Sequence, residues 1–354
     1  MEKKDLLALD LEELMKLVKS WGWSAYRGEQ IFTWMQKKLV FKIADFHNLS
    51  LAQRQKLDEE TKLFLPQIIK ENKSADGYTI KLLLQLADGE TIEMVLLFYS
   101  REDSRNRNTC CISTQTGCAM DCHFCATGQG GAGRNLTVSE LISQVLLASQ
   151  IAQNNGFGSI SNVVYMGMGE PLANLSAVKK SLLLLNNSQG QNIGMRRMTI
   201  STCGLVPQIY ELADWGQQVN LAVSLHAADD QLRARLMPIA NKYSLDELIT
   251  ACRYYKKRTG RRITYEYALF KDCNDSEEEA RKVVRLLLRE EALINIIPAN
   301  PVPKTGFFPS EVETVRNFCR ILEAYGLNVS QREARGLDIS AACGQLVKKN
   351  SVEV

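Results

Sequence analysis

At 354 residues, 45% of them hydrophobic and 23% charged, the chain exceeds one average domain, yet a single α/β barrel with a small appendage would use it fully. The longest apolar runs, such as Leu182 to Leu185, are far too short to cross a bilayer, and Met1 to Asp10 mixes charges with leucines where a secretory signal would have an apolar core. A net charge of +3 decides nothing by itself, and ten cysteines without an export signal argue for thiol or metal chemistry in the cytoplasm, not for disulfide staples.

Residues 1–60 read as a helical accessory domain. Asp10 can cap a helix whose apolar face is Leu11, Leu14 and Val18, ending near Gly22, and Ile31, Trp34, Met35 and Lys38 repeat that spacing. The period then changes. Tyr78 to Leu86 and Thr91 to Leu97 are β-rich around an Asp88-Gly89 turn, so 61–104 is expected to be a β-hairpin region. From about residue 109, strands alternate with helices. Candidate strands are Thr109–Ser113, Asn162–Met166, Met198–Ser201, Asn220–Ser224, Ile263–Ala268 and Leu293–Pro298, with a short seventh near Asn328–Gln331. Ser244 with Glu247 and Ser276 with Glu279 match capping boxes at helix starts. Six β/α units imply parallel strands in a core of 105–346, followed by a tail of 347–354. Periodicity does not choose between a doubly wound sheet and a barrel. Between Arg253 and Arg262 lie six basic residues, two tyrosines and no acid, which suits either a solvated helix end or a phosphate-binding patch.

The sharpest motif directly follows the first strand of that series. Cys118, Cys122 and Cys125 fall within eight residues, close enough for soft thiolates to reach one metal centre. Three is the informative count. A structural zinc site wants four ligands, and the only nearby fourth, His123, sits inside the loop with poor reach. Three cysteines on a [4Fe–4S] cluster leave one iron open to chelate the amino and carboxylate groups of S-adenosylmethionine (SAM) and to pass an electron into its sulfonium. This Cys-x3-Cys-x2-Cys spacing, with Phe124 before the last cysteine, resembles the signature of the radical SAM superfamily.

The other strand ends suit such a ligand. Tyr165-Met-Gly-Met-Gly169-Glu170-Pro171-Leu172 is a glycine-rich turn where Glu170 could accept from the SAM amino group and Gly169 lets backbone approach closely. Ser201 ends the third strand, Ser224-Leu225-His226 the fourth, and Asn300 follows the sixth. Polar groups at the carboxyl ends of parallel strands are the expected ligand wall of an α/β barrel. Together with Ser201-Thr-Cys203-Gly and two further cysteines, Cys111 and Cys343 in Asp338-Ile-Ser-Ala-Ala-Cys343-Gly-Gln-Leu346, these motifs resemble the adenine-C2 ribosomal and transfer RNA methyltransferases. Cys203 replaces the usual serine of that family, and Ser340 the usual aspartate.

That resemblance covers nearly the whole chain and implies a fold, a partial (β/α)6 radical SAM barrel with the helical domain and hairpin as extensions. It also implies a mechanism. Carbon 2 of adenine has no nucleophilic pair, so a radical must add to it. One SAM methylates Cys343 by displacement, and a second, on the cluster, yields the radical that takes hydrogen from that methyl group. The carbon radical adds to adenine, Glu93 accepts the proton from carbon 2, and Cys111 releases the product through a transient disulfide with Cys343. Glu93 sits in the apolar Ile92-Glu93-Met94-Val95, where desolvation would raise its proton affinity; strand alternation alone favours a hairpin residue facing solvent, and it is the family position that points to the proton acceptor. The remaining cysteines read as inert, with Cys252 and Cys319 on apolar helix faces and Cys110 turned away from Cys111 by alternation.

Implied partners are 23S rRNA, naked or in an early assembly intermediate, some tRNAs, and an electron donor such as flavodoxin or ferredoxin, with the helical domain of residues 1–60 and the Arg253–Arg262 stretch as the candidate RNA-binding regions. A monomer with no membrane contact is expected. Two other readings stand beside this one. The sister enzyme methylates carbon 8 of the same adenosine and confers antibiotic resistance; Gly169-Glu170-Pro171-Leu172 and Ser224-Leu225-His226-Ala227-Ala228 resemble the carbon-2 group instead. The more distant alternative is a zinc-bearing RNA-binding module without catalysis.

Overall fold

The computed structural model describes residues 3–99, 107–302, 305–332 and 335–347, so the expected tail beyond Val347 and residues 100–104 of the hairpin region lie outside the described residues. Lys4–Asp5 (β1) pairs in parallel with Thr61–Lys62 (β2), joining the two ends of the first domain. Between them run Leu11–Ser20 (α1), Tyr26–Gln36 (α2) and Leu51–Glu60 (α3). Helix α1 starts on a capping box: Asp10 accepts from the Glu13 N–H at 2.8 Å, and Glu13 accepts from the Asp10 N–H at 2.8 Å. Leu14, Val18, Ile31 and Met35 are fully buried, as their spacing requires. Gly28 sets how closely α1 and α2 meet, because a Cβ there would lie 2.8 Å from the Met15 backbone nitrogen.

Gln67–Lys73 (β3), Thr79–Gln85 (β4) and Thr91–Tyr99 (β5) form an antiparallel meander, with Leu83 opposite Glu93 across the expected turn. β3 is unanticipated by sequence pattern, being a polar, largely exposed edge strand with no apolar alternation. β5 in turn pairs antiparallel with Arg107–Cys111 (β6), so the hairpin region continues the core sheet.

After β6 come Ala126–Gln129 (α4), Val138–Asn154 (α5), Asn162–Tyr165 (β7), Leu175–Asn186 (α6), Met198–Thr202 (β8), Val206–Asp214 (α7) and Asn220–Ser224 (β9). Asp230–Leu236 (α8), Leu245–Thr259 (α9), Thr264–Leu269 (β10), Glu277–Leu287 (α10), Leu293–Pro298 (β11), Val312–Ala324 (α11) and Asn328–Gln331 (β12) complete the core. The sheet runs β12-β11-β10-β9-β8-β7-β6-β5-β4-β3, and every pairing from β6 to β12 is parallel. A doubly wound sheet would reverse its strand order at a switch point. This order never reverses, so the choice left open by periodicity falls to the partial barrel. The fold is a radical SAM-type α/β architecture in which six β/α units, a short final strand and an antiparallel extension share one mixed sheet.

Two local expectations need adjustment. Ser244 and Glu247 form a reciprocal capping box, but at α10 only half of one exists, because the Glu279 side chain turns to Lys282 at 2.6 Å. Half of the basic residues at the end of α9 are paired with carboxylates. Arg253 pairs with Glu290 at 2.8 Å, Lys256 with Glu291 at 2.7 Å and Arg258 with Asp214 at 3.4 Å. It also lies just before β10, at the amino ends of the strands. None of the described helices is long and apolar enough to cross a membrane.

Candidate active site

A cavity opens at the carboxyl ends of β7 to β11, lined by Cys118, Cys122, Cys125, Gly169, Glu170, Ser201, Ser224, His226 and Asn300. The cysteine loop is shaped by close backbone packing. A Cβ on Gly117 would lie 2.5 Å from the Gly131 carbonyl, and one on Gly133 would lie 2.2 Å from the Gly117 nitrogen. This closeness lets the Cys118 N–H donate to Gly131 at 2.9 Å, while the Cys125 N–H donates to Cys122 at 3.0 Å. Burial pushes the Cys118 thiol up to about 12 and raises Cys122 as well. Desolvated thiols of this kind ionise when a cation supplies the missing charge.

Among the described residues, no group of three or more His, Cys, Asp or Glu side chains has the geometry of a single-ion site. Cys118, Cys122 and Cys125 nevertheless line one cavity together, three soft sulfur donors of the kind that would hold an iron–sulfur cluster. His123 points elsewhere. It is exposed, and its Nδ1 donates to the Arg235 carbonyl at 2.7 Å.

The glycine turn after β7 is built for proximity. Gly169 takes φ +98°, and a Cβ on it would strike Gln115 at 2.6 Å. Glu170 is buried, and desolvation raises its proton affinity against two backbone donors, Cys203 at 2.8 Å and Leu172 at 2.9 Å. The Cys203 and Thr202 side chains also hydrogen-bond to this carboxylate, which keeps its negative charge facing the cavity. Ser201 and Ser224 project into the cavity, their hydroxyls unengaged by other described residues. His226 adopts φ +55°, and its Nδ1 accepts from the Ala268 N–H at 2.9 Å, which leaves the proton on Nε2. Burial, helped by nearby Arg233, lowers its basicity to about 3, so the ring is neutral. Leu225 differs from its motif neighbours: it is fully buried in the core and lines neither cavity.

A second cavity adjoins the first, and Met166, Ile297, Asn300, Arg332, Cys343 and Leu346 line both. Its own wall comes from Val95, Leu97 and Tyr99 of β5 and from Cys111 of β6. Alternation explains this set, since Val95 faces Cys111 and Leu97 faces Thr109 across the pair. Cys110 accordingly points the other way and is fully buried. Cys111 and Cys343 therefore meet at one cavity although far apart in sequence. All ten cysteines are free thiols, so no standing disulfide joins that pair. Burial, then the neighbouring Cys343, lifts Cys111 to about 12. Cys252 is buried and Cys319 half-buried, as their helix faces suggested.

Glu93 lines neither cavity. It is 1% exposed, ion-paired to Lys81 at 3.0 Å, and accepts from the Val347 N–H at 2.9 Å. A solvent-facing hairpin position is thus excluded. Asn300 also does more than line a wall, because its Nδ2 donates to the Cys343 carbonyl at 3.0 Å.

Sequence reading missed Arg332, Glu266 and Lys81. Arg332 lines both cavities, and its charged form is favoured first by Cys343, then, against burial, by Glu266 and Cys111. Nothing periodic marks it. Lys81 was discoverable, because in the Asp88-Gly89 hairpin register it lies diagonally across from Glu93 on the same face.

Thiols on a barrel-end loop, a glycine turn and a ring of polar strand ends define a radical SAM protein, and the Radical SAM superfamily model matches residues 112–284. The Ribosomal RNA large subunit methyltransferase N-terminal domain model matches residues 4–63. A Moorella thermoacetica protein named "Probable dual-specificity RNA methyltransferase RlmN" is 48% identical over 97% of this chain and 96% of its own length. A Desulfitobacterium hafniense protein of the same name is 45% identical over 100% and 99%. A crystal structure of a radical SAM methyltransferase from Sphaerobacter thermophilus superposes with a TM-score of 0.92 at 43% identity, covering 97% of this chain and 99% of that one. The chain belongs to the radical SAM RNA methyltransferases of the RlmN type.

Proposed function

We propose that the chain methylates carbon 2 of one adenosine in 23S rRNA, and of an adenosine beside the anticodon in some tRNAs, through a methylated Cys343. The observation that carries this reading is the shared lining of the two cavities. Cys343 stands at their junction, and Cys111 faces it from the second. The first cavity suits SAM, with Glu170 for its ammonium, Ser201 and Ser224 as hydroxyl partners and neutral His226 as a fixed wall beside Phe124. Cys118, Cys122 and Cys125 would hold the [4Fe–4S] cluster, which when bound supplies the electron that splits SAM and releases a 5′-deoxyadenosyl radical.

The second cavity suits the target base. Leu97 and Tyr99 give it an apolar floor, and Arg332 sets a positive charge beside both thiols. Cys343 takes a methyl group when its sulfur attacks the sulfonium methyl and the thioether departs. It is then placed to present that carbon to a base in the adjoining space. The 5′-deoxyadenosyl radical takes a hydrogen atom from the methylated Cys343, and the carbon radical left there bonds to carbon 2. Glu93 takes the proton from carbon 2, and Cys111 attacks the Cys343 sulfur: the S–S bond forms as the C–S bond breaks, the freed methylene takes a proton to become the methyl group, and the one surplus electron passes back to the electron-transfer chain that supplied it. Carbon 2 is preferred over carbon 8 because the Gly169-to-Leu172 and Ser224-to-Ala228 motifs resemble the carbon-2 group. Flavodoxin or ferredoxin as donor, a monomeric state and a cytoplasmic setting complete the reading.

The test is anaerobic. Cluster-reconstituted protein is given SAM, a chemical reductant and a 23S rRNA fragment or a tRNA, and the nucleosides are resolved by mass spectrometry. The expected product is 2-methyladenosine in both RNAs. Methylation at carbon 8 alone, or a colourless protein holding zinc, would overturn the proposal.

A further inference from the structure

We infer that Lys81 is a positioning residue for Cys343, and that with Glu93 it forms a buried clamp on the loop bearing that thiol. This rests on the reading above only in taking Cys343 as the methyl carrier. The Lys81 ammonium donates to the Ser340 carbonyl at 2.9 Å and pairs with Glu93 Oε1 at 3.0 Å. The other carboxylate oxygen, Oε2, accepts from the Val347 N–H at 2.9 Å. Ser340 and Val347 lie on either side of Cys343 in the sequence. One ion pair thus grips both flanks of the reactive loop.

Burial makes the grip strong. The two side chains are 6% and 1% exposed, and charges so desolvated need every hydrogen bond they can make. Here each spends one on the same loop backbone. The loop is held from the cluster side as well, where Thr127 Oγ1 donates to the Leu346 carbonyl at 2.6 Å and the Ala126 N–H to Gly344 at 2.9 Å. Those contacts do not depend on Lys81.

The clamp also orders events. With both carboxylate oxygens engaged and neither cavity reached, Glu93 cannot meet a base while the loop is down. Loading of Cys343 therefore belongs to the clamped state. Proton transfer belongs to a state in which the loop has lifted and Oε2 has lost Val347. The C–H pair then stays in the purine ring, the carboxylate becomes an acid, and Lys81 keeps its own proton.

Hydrogen exchange read by mass spectrometry on the full-length protein tests this. Lys81→Met removes the clamp, and Lys81→Met/Glu93→Gln removes it without leaving a buried charge unpaired, should the single variant fail to fold. Exchange in peptides covering 336–347 is expected to rise about tenfold or more, with β8 and β9 unchanged, and Lys81→Arg should restore most of the protection. The methylated fraction of Cys343 should fall in step. Wild-type exchange in 336–347 of the double variant overturns the proposal, as does a rise spread evenly over the barrel. Since exchange is read without RNA, these outcomes stand apart from whether carbon 2 is the methylated atom.

Discussion

The two cavities meet along a common wall, yet they are assembled in opposite ways. Apart from the wall it shares with its neighbour, the cluster-side cavity draws on one loop, 118–125, and on successive strand ends, so most of its chemistry follows chain order. The second cavity joins β5 and β6 to residues 331–332 and 335–346, parts brought together only by the sheet and the clamped loop. Metal ligation needs thiols at fixed short spacing, which one loop supplies. Two thiols that must meet each other and a substrate are better held on separate elements, where they can be kept apart until needed.

The sharpest way to break that contrast is to remove one thiol from each side. Cys122→Ala should drop bound iron and sulfide and take product below detection, with helical content by circular dichroism unchanged. Retained charge-transfer absorbance near the wild-type level would show that the loop is not the cluster site. Cys111→Ala, on the other side, should keep its cluster and still attack RNA. It is expected to stall after at most about one turnover per chain, as a covalent protein–RNA adduct through Cys343 visible on a denaturing gel. A variant that methylates repeatedly without adduct would remove Cys111 from the release step.

A subtler effect separates the thiols by ionisation. Because burial holds Cys111 at about 12, it is protonated at neutral pH, and raising the pH frees thiolate. Its alkylation by iodoacetamide in the native protein should climb about tenfold per pH unit from pH 7 to 10 and remain far slower than in the unfolded chain. A rate that levels off near pH 8 would mean an ordinary exposed thiol. The protonated state has a consequence for turnover, since Cys111 must give up its proton before it can attack the Cys343 sulfur in the release step.

The same contrast governs what the sequence discloses. Parallel strands buried on both faces leave apolar runs bounded by caps, which is why the β/α units from residue 109 onward are legible in order. β3 is not, because an exposed polar edge needs no pattern. Cys118, Cys122 and Cys125 declare themselves by spacing alone. Leu225 sits inside a recognisable motif yet faces the core, since β9 has just presented Ser224 to the cavity and the next side chain must point away. Glu93 shows the reverse case. An acid in an apolar strand suggested either solvent or a catalytic pocket, and it occupies neither, because a lysine two positions off in register and a backbone N–H 254 residues downstream satisfy it. Arg332 left no trace, as a polar residue just after a short strand has no period to betray it.

The smallest expected effect concerns RNA affinity and the patch from Arg253 to Arg262. A basic run suggests phosphate contacts, and charge reversal there would then weaken binding and flatten its salt dependence. The geometry argues otherwise. Three of the six cations already have carboxylate partners, and the run lies at the amino ends of the strands while both cavities open at the carboxyl ends. Exposed pairs of this kind contribute about 0–1 kcal/mol each, so replacing Arg253, Lys256 and Arg258 with glutamate should cost little stability beyond local repulsion. Affinity for a 23S rRNA fragment, measured at several salt concentrations, should stay within about threefold of wild type with its slope lowered by less than about one. Reversal of Arg332 and Arg335 at the second cavity, measured alongside, should do more. Were the α9 patch instead to lose tenfold and the cavity arginines nothing, the RNA would have to approach from the opposite end of the barrel, and the assignment of the second cavity to the target base would fall with it.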